Sequence, residues 1–117
     1  MTPKEKRAWA MNTLRRASYR LAERDAVKRM ARRSRGKYEC EDCGELFGPK
    51  EIKLDHIDPV VDPKTGFTTL DIWLDRLLPG VEGWQVLCKA CHDVKTKLEN
   101  TIRRKYATER KKRTNKK

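Results

Sequence analysis

The stretch LCKACHDVKT, residues 87 to 96, decides how the chain folds. Cys88 and Cys91 stand in C-x2-C spacing, and Cys40 and Cys43 repeat that spacing with 44 residues between the two pairs. A tight turn presents two thiolates to one side, and two such turns complete the four-sulfur tetrahedron that zinc prefers. The alternative is free or disulfide-bonded cysteines, but matched pairs in a basic chain favour a metal. The ion would clip together segments distant in sequence. With Cys40, Cys43, Cys88 and Cys91 filling that structural zinc site, His92, directly behind the last cysteine, is available for other chemistry.

A staple suits this composition. The chain has 117 residues, of which 37% are hydrophobic and 39% charged, one domain's worth with little material for a core. The opening MTPKEKRAWAMNTLRRASYR has no apolar segment of signal-peptide length, and no stretch approaches a membrane span. A cytoplasmic location and no membrane association are therefore expected.

The net charge of +12 is unevenly spread. Residues 1–37 hold 13 Lys/Arg against 3 Asp/Glu, residues 38–98 hold 7 against 12, and residues 99–117 hold 9 against 2. An acidic centre between two basic arms points to a polyanionic partner, with nucleic acid the default. Arg15, Arg16, Arg32, Arg33, Arg103 and Arg104 are the candidate phosphate contacts. Solubility alone would explain the last ten residues, and the first arm less well.

Residues 4–33 contain neither Gly nor Pro and favour one long or two shorter helices, with Gly36 as the C-cap. IKLDHI (52–57) and WQVL (84–87) alternate like short strands. TTLDIWLDRLL (68–78) predicts a short helix capped by Thr68, with Leu70, Trp73, Leu74 and Leu77 on one face. From His92 onward the pattern is helical again, with Val94, Leu98, Ile102 and Tyr106 as the packing stripe and His92, Lys95 and Glu99 on a neighbouring face. The last ten residues should fray. The organisation expected is a basic helical arm (1–36), a zinc-stapled domain (37–107) and a basic disordered tail (108–117).

The only two histidines are His56, in LDHIDP, and His92. A histidine taken alone is more often structural, but these two flank elements that the zinc would join. Neighbours on a strand point to opposite faces, so Asp55 and His56 do not easily reach one ion. A division of labour follows: Asp55 and His92 hold a divalent cation, and His56 faces the substrate as general base.

The run C-x2-C, LDHIDPV and QVLCKACHDVKT over roughly residues 36–99 resembles the HNH endonucleases of the ββα-metal (His-Me finger) superfamily, in their small zinc-stapled phage form. The resemblance implies a small α+β fold in which a hairpin and a helix surround one catalytic Mg²⁺ or Mn²⁺. It also implies double-stranded DNA as substrate, in the host cytoplasm for a phage-encoded protein. His56 would take the proton of the attacking water, Asp55 and His92 would ligate the metal, and Lys95 would contact phosphate or be an ordinary exposed helix lysine. One position departs from the pattern: the family's asparagine is Gly83 here, and Gln85 or backbone groups would have to substitute. Two rivals stay open: a non-catalytic zinc module that binds nucleic acid, and an adaptor docking through the Trp9 helix on a phage or host packaging or recombination enzyme.

Overall fold

The computed structural model describes residues 1–115. Helix α1 (Pro3–Ser18) starts where Thr2 accepts the Glu5 amide and Pro3 occupies the first turn. It stops at Tyr19, Leu21 is extended, and α2 (Ala22–Ala31) begins a new axis. Two helices therefore replace one. Val27 and Ala31, one turn apart, bury against Trp84 and Val86, which makes α2 part of the main core and not a separate arm. Met11 of α1 packs beside Val60, Trp73 and Leu77. The expected boundary at residue 36 is thus crossed by packing.

Gly36 does not cap α2. The chain leaves Ala31 directly into β1 (Arg32–Ser34), and Gly36, with φ +72°, turns it into antiparallel β2 (Lys37–Glu39). β3 (Leu46–Phe47) adds to the far side of β2. Between β2 and β3 the Cys40 amide meets the Glu45 carbonyl and the Gly44 amide meets the Cys40 carbonyl, closing the first cysteine turn.

β4 (Ile52–His56) pairs antiparallel with β5 (Trp84–Cys88) in a register that sets Asp55 opposite Gln85 and His56 opposite Trp84. β5 runs straight into α4 (Lys89–Asn115), giving the succession strand, strand, helix. The connection between the strands carries α3 (Leu70–Leu77), capped by Thr69 and not by Thr68. Trp73 and Leu77 are buried, but Leu70 is exposed, so the apolar face of α3 is narrower than expected.

The expected stripe on α4 is corrected as well. Val94 and Leu98 are 66% and 60% exposed, whereas His92, Lys95 and Glu99 face the strands. The reason is geometric: each i to i+4 step on a helix drifts by roughly 40°, so a row begun at Val94 reaches the packed side only by Ile102 and Tyr106. α4 continues through Asn115, making residues 108–115 its last turns where a frayed tail was expected. The two final lysines lie outside the described residues. Among the described residues no helix is long and apolar enough to cross a membrane.

Candidate active site and metal centre

The two cysteine turns converge. The sulfurs of Cys40, Cys43, Cys88 and Cys91 all lie within 4.8 Å of one another, close to the ~3.8 Å edge of a tetrahedron with ~2.3 Å zinc–sulfur bonds. β5 delivers Cys88, the first turn of α4 delivers Cys91, and the Cys91 amide approaches the Cys88 sulfur at 3.5 Å. Shared hydrogen bonding with Cys88, then burial, pushes the Cys91 thiol well up. Burial pushes Cys40 up too, but the backbone amides of Cys43 and Cys88 outweigh it and bring that thiol to about 7. Four thiols crowded in this way resist joint ionisation unless a cation neutralises them, so the donor set suits zinc. His92 is not part of this cluster.

A second constellation lies at the end of β4. Asp55 Oδ2 receives the Gln85 amide at 3.0 Å and the Lys95 ammonium at 2.9 Å. Asp55 Oδ1 has no hydrogen bond among the described residues and faces His92 Nε2 across 3.8 Å. His92 Nδ1 is buried without a hydrogen-bond partner, with Asp93 Oδ1 3.9 Å away. One carboxylate oxygen and one imidazole thus stand uncommitted, face to face. Octahedral bonds of ~2.1 Å separate neighbouring ligands by ~3.0 Å and opposite ones by ~4.2 Å; the 3.8 Å span falls between the two, so the pair reaches one small divalent ion with a side-chain shift of less than ~1 Å.

His56 is oriented differently. Its Nε2 lies 2.9 Å from the Leu77 carbonyl and its ring packs on Trp84, with centroids 4.0 Å apart. A carbonyl only accepts, so Nε2 carries the proton and the lone pair of the neutral ring is on Nδ1. Burial lowers the His56 pKa, against the opposing pull of the Leu77 carbonyl and of Asp55. The ring is therefore neutral near pH 7.

Lys95 is not an ordinary exposed helix lysine. Its ammonium touches the His56 carbonyl at 3.0 Å, Asp55 at 2.9 Å and Glu99 at 2.8 Å. Burial works to lower its pKa, but the bonds to Glu99 and Asp55 outweigh that and raise it. The side chain clamps the end of β4 to α4.

Gly83 acts through its backbone. Its carbonyl accepts the Ile57 amide at 3.0 Å, bracing the chain just after His56. A Cβ there would lie 2.3 Å from Cβ of Pro79, so no side chain fits. Gln85, through its bond to Asp55, supplies the side-chain support for the acidic residue.

Of the basic candidates, Arg15 and Arg103 line a groove of about 420 Å³ together with Asp55, His56, Lys95 and Glu99. Arg33 is paired with Glu39 at 2.7 Å, Arg32 turns to the Ser34 carbonyl, Arg16 to the Thr13 hydroxyl, and Arg104 is exposed on α4; none of the four lines a groove at the site. Two residues went unrecognised as site residues in the sequence: Arg24 and Tyr19, which line a cavity with Asp55, His56 and His92. Nothing local distinguishes Arg24 from its twelve basic neighbours in residues 1–37.

A strand pair leading into a helix, stapled by four cysteines and carrying an Asp-His pair opposite a helix histidine, defines a small metal-binding α+β module of the ββα type. A protein of Lactococcus phage SK1 named "Probable HNH endonuclease" is 40% identical over 76 residues, which cover 65% of this chain and 67% of that protein. The chain belongs to the HNH family. No family model matches it, and no solved structure does.

Proposed function

We propose that the protein is a metal-dependent endonuclease that hydrolyses phosphodiester bonds of double-stranded DNA. The observation that carries this reading is the uncommitted pair Asp55 Oδ1 and His92 Nε2, 3.8 Å apart, beside a histidine whose Nε2 is already bonded to the Leu77 carbonyl. Asp55 and His92 would hold Mg²⁺ or Mn²⁺, which when bound supplies positive charge against the scissile phosphate and the departing 3′ oxygen. His56 Nδ1, neutral near pH 7, accepts the proton of the attacking water. The water oxygen bonds to phosphorus, the bond from phosphorus to the 3′ oxygen breaks, and the 3′ oxygen takes its proton from solvent. Gln85 and Lys95 hold Asp55 in register through Oδ2, and the Leu77 carbonyl and the Trp84 face fix the His56 ring. The zinc-type cluster is structural in this reading, anchoring β5 and α4 so that His92 faces Asp55. Arg15 and Arg103 supply phosphate affinity on one side of the centre.

The similarity to the phage SK1 protein supports the nuclease assignment, and the basic flanks support DNA as the substrate. Incubating the purified protein with supercoiled plasmid, with Mg²⁺, with Mn²⁺ and with EDTA, tests it. Relaxed or linear product only in the metal lanes is expected. Tight DNA binding with intact plasmid in every lane would favour a non-catalytic zinc module, with Lys95 serving as the permanent counter-ion of Asp55.

A further inference from the structure

Arg24 sits three residues before Val27, on the side of α2 that faces the strands, and is half-buried. Its guanidinium carbon lies 4.8 Å from the centre of the Tyr19 ring and 5.0 Å from that of Trp84. Trp84 in turn carries the His56 ring. Tyr19, Arg24, Trp84 and His56 thus form one continuous series of contacts ending at the candidate base. Arg24 lines the cavity that holds Asp55, His56 and His92, and also a groove of about 460 Å³ shared by Lys28, Lys53 and His92.

Among the other cations near this centre, Lys95 is bound to Asp55 and Glu99, Arg103 bonds the Asn100 side chain, and Arg15, on the rim of the same cavity, is exposed to solvent. Arg24 differs. Among the described residues its guanidinium has no hydrogen bond and no ion pair at bonding distance; two aromatic faces lie against it, and burial lowers its pKa against the weaker pull of Tyr19 and Asp25. A partly desolvated cation whose nearest carboxylate, Asp25, does not bond it is costly, and such a group persists where an anion completes it. A guanidinium held against two ring faces, with no hydrogen bond of its own, has its forked donors available and loses little freedom when it bridges two oxygens.

We propose that Arg24 is a catalytic residue: its guanidinium grips the non-bridging oxygens of the scissile phosphate between the Asp55–His92 pair and the base, so that the N-terminal helices complete the active site. This rests on the nuclease reading above. Arg24 would bind the phosphate through two parallel N–H···O bonds and offset the negative charge that builds on those oxygens as the water attacks. A lysine at the same place would offer charge but no fork.

The test uses the full chain, with wild type, Arg24→Gln, Arg24→Lys and, as a control for charge on the same helix, Arg29→Gln. Single-turnover cleavage is measured at saturating DNA and Mg²⁺, DNA affinity in EDTA, and zinc content with the melting temperature for folding. Arg24→Gln is expected to slow cleavage by about 10²-fold or more while weakening DNA binding by less than about tenfold. Arg24→Lys should recover only part of the rate, and Arg29→Gln should match wild type. Arg24→Gln cleaving at the wild-type rate, or losing affinity alone, overturns the assignment. Should Arg24→Gln fail to hold zinc or fold, Arg24→Lys decides: cleavage at least about tenfold slower supports the fork, and a wild-type rate rejects it. A wild type inert with every metal sinks the nuclease reading and Arg24 with it, whereas an active wild type beside an equally active Arg24→Gln sinks only the latter.

Discussion

The Lys95 ammonium lies 2.9 Å from Asp55 Oδ2, on the far side of the carboxylate from the oxygen that faces His92. One carboxylate therefore serves two partners, and the lysine leaves the second oxygen open. Lys95→Met should cost about 2 kcal/mol, because Asp55 and the His56 carbonyl lose a charged donor in a largely buried place. Urea unfolding of the zinc-loaded protein measures this, and an unchanged midpoint would show that the clamp contributes nothing to stability.

His56→Ala and His92→Ala should fail differently. His56→Ala removes only the proton acceptor, so Mn²⁺ binding, followed by electron paramagnetic resonance, should stay near wild type while cleavage is lost. His92→Ala should weaken Mn²⁺ binding, and high Mn²⁺ should restore part of the cleavage. Both should retain one zinc. Loss of zinc from His92→Ala would place the histidine in the cysteine cluster.

Removal of zinc should unfold the domain around β5. The buried residues are few, and Leu87 and Cys88 pack with Cys40 in the cluster itself, so metal-binding energy is folding energy here. Cys91→Ser, or a strong chelator on the wild type, should broaden the melting transition and increase protease sensitivity. A metal-free wild type with a native circular dichroism spectrum would contradict this.

The pH dependence follows from His56. Its pKa is lowered by burial, so the free imidazole persists as the pH falls to the ordinary histidine value of about 6.5 and is lost only below it. The cleavage rate should be flat from pH 8 to about 6.5 and then decline. Stability changes in the same direction: the unfolded chain takes up the proton first, so the His56 contribution turns unfavourable as pH falls from about 6.5 toward the lower folded value. An acid limb centred above pH 7 would exclude His56 as the base.

Gly83→Asn, which would rebuild the family pattern, should reduce activity instead of raising it. The new Cβ would meet Pro79, and the shift needed would disturb the carbonyl that holds the Ile57 amide. A destabilisation of about 1–3 kcal/mol is expected, read as a lower melting temperature. A more active, equally stable Gly83→Asn would mean that the Pro79 loop yields easily.

Local chemistry was legible in the sequence by itself. The two C-x2-C pairs, the Asp55-His56 step at a strand end, the strands near 52–57 and 84–87 and the helical flanks all depend on spacings within a turn or two, which side-chain type and backbone preference decide. Tertiary structure alone decided what depends on pairings across longer separations. Gln85 reaches Asp55 over 30 residues and Lys95 reaches the His56 carbonyl over 39. Nor did the row Val94, Leu98, Ile102 and Tyr106 reveal which face of α4 docks, because that face carries polar residues bonded to the strand end. The same holds for Arg24, one of many arginines along the chain, whose position over Trp84 exists only because α2 packs on β5 through Val27 and Ala31. A single sequence records which groups are available; which of them meet is set by the packing of helices on strands far away along the chain.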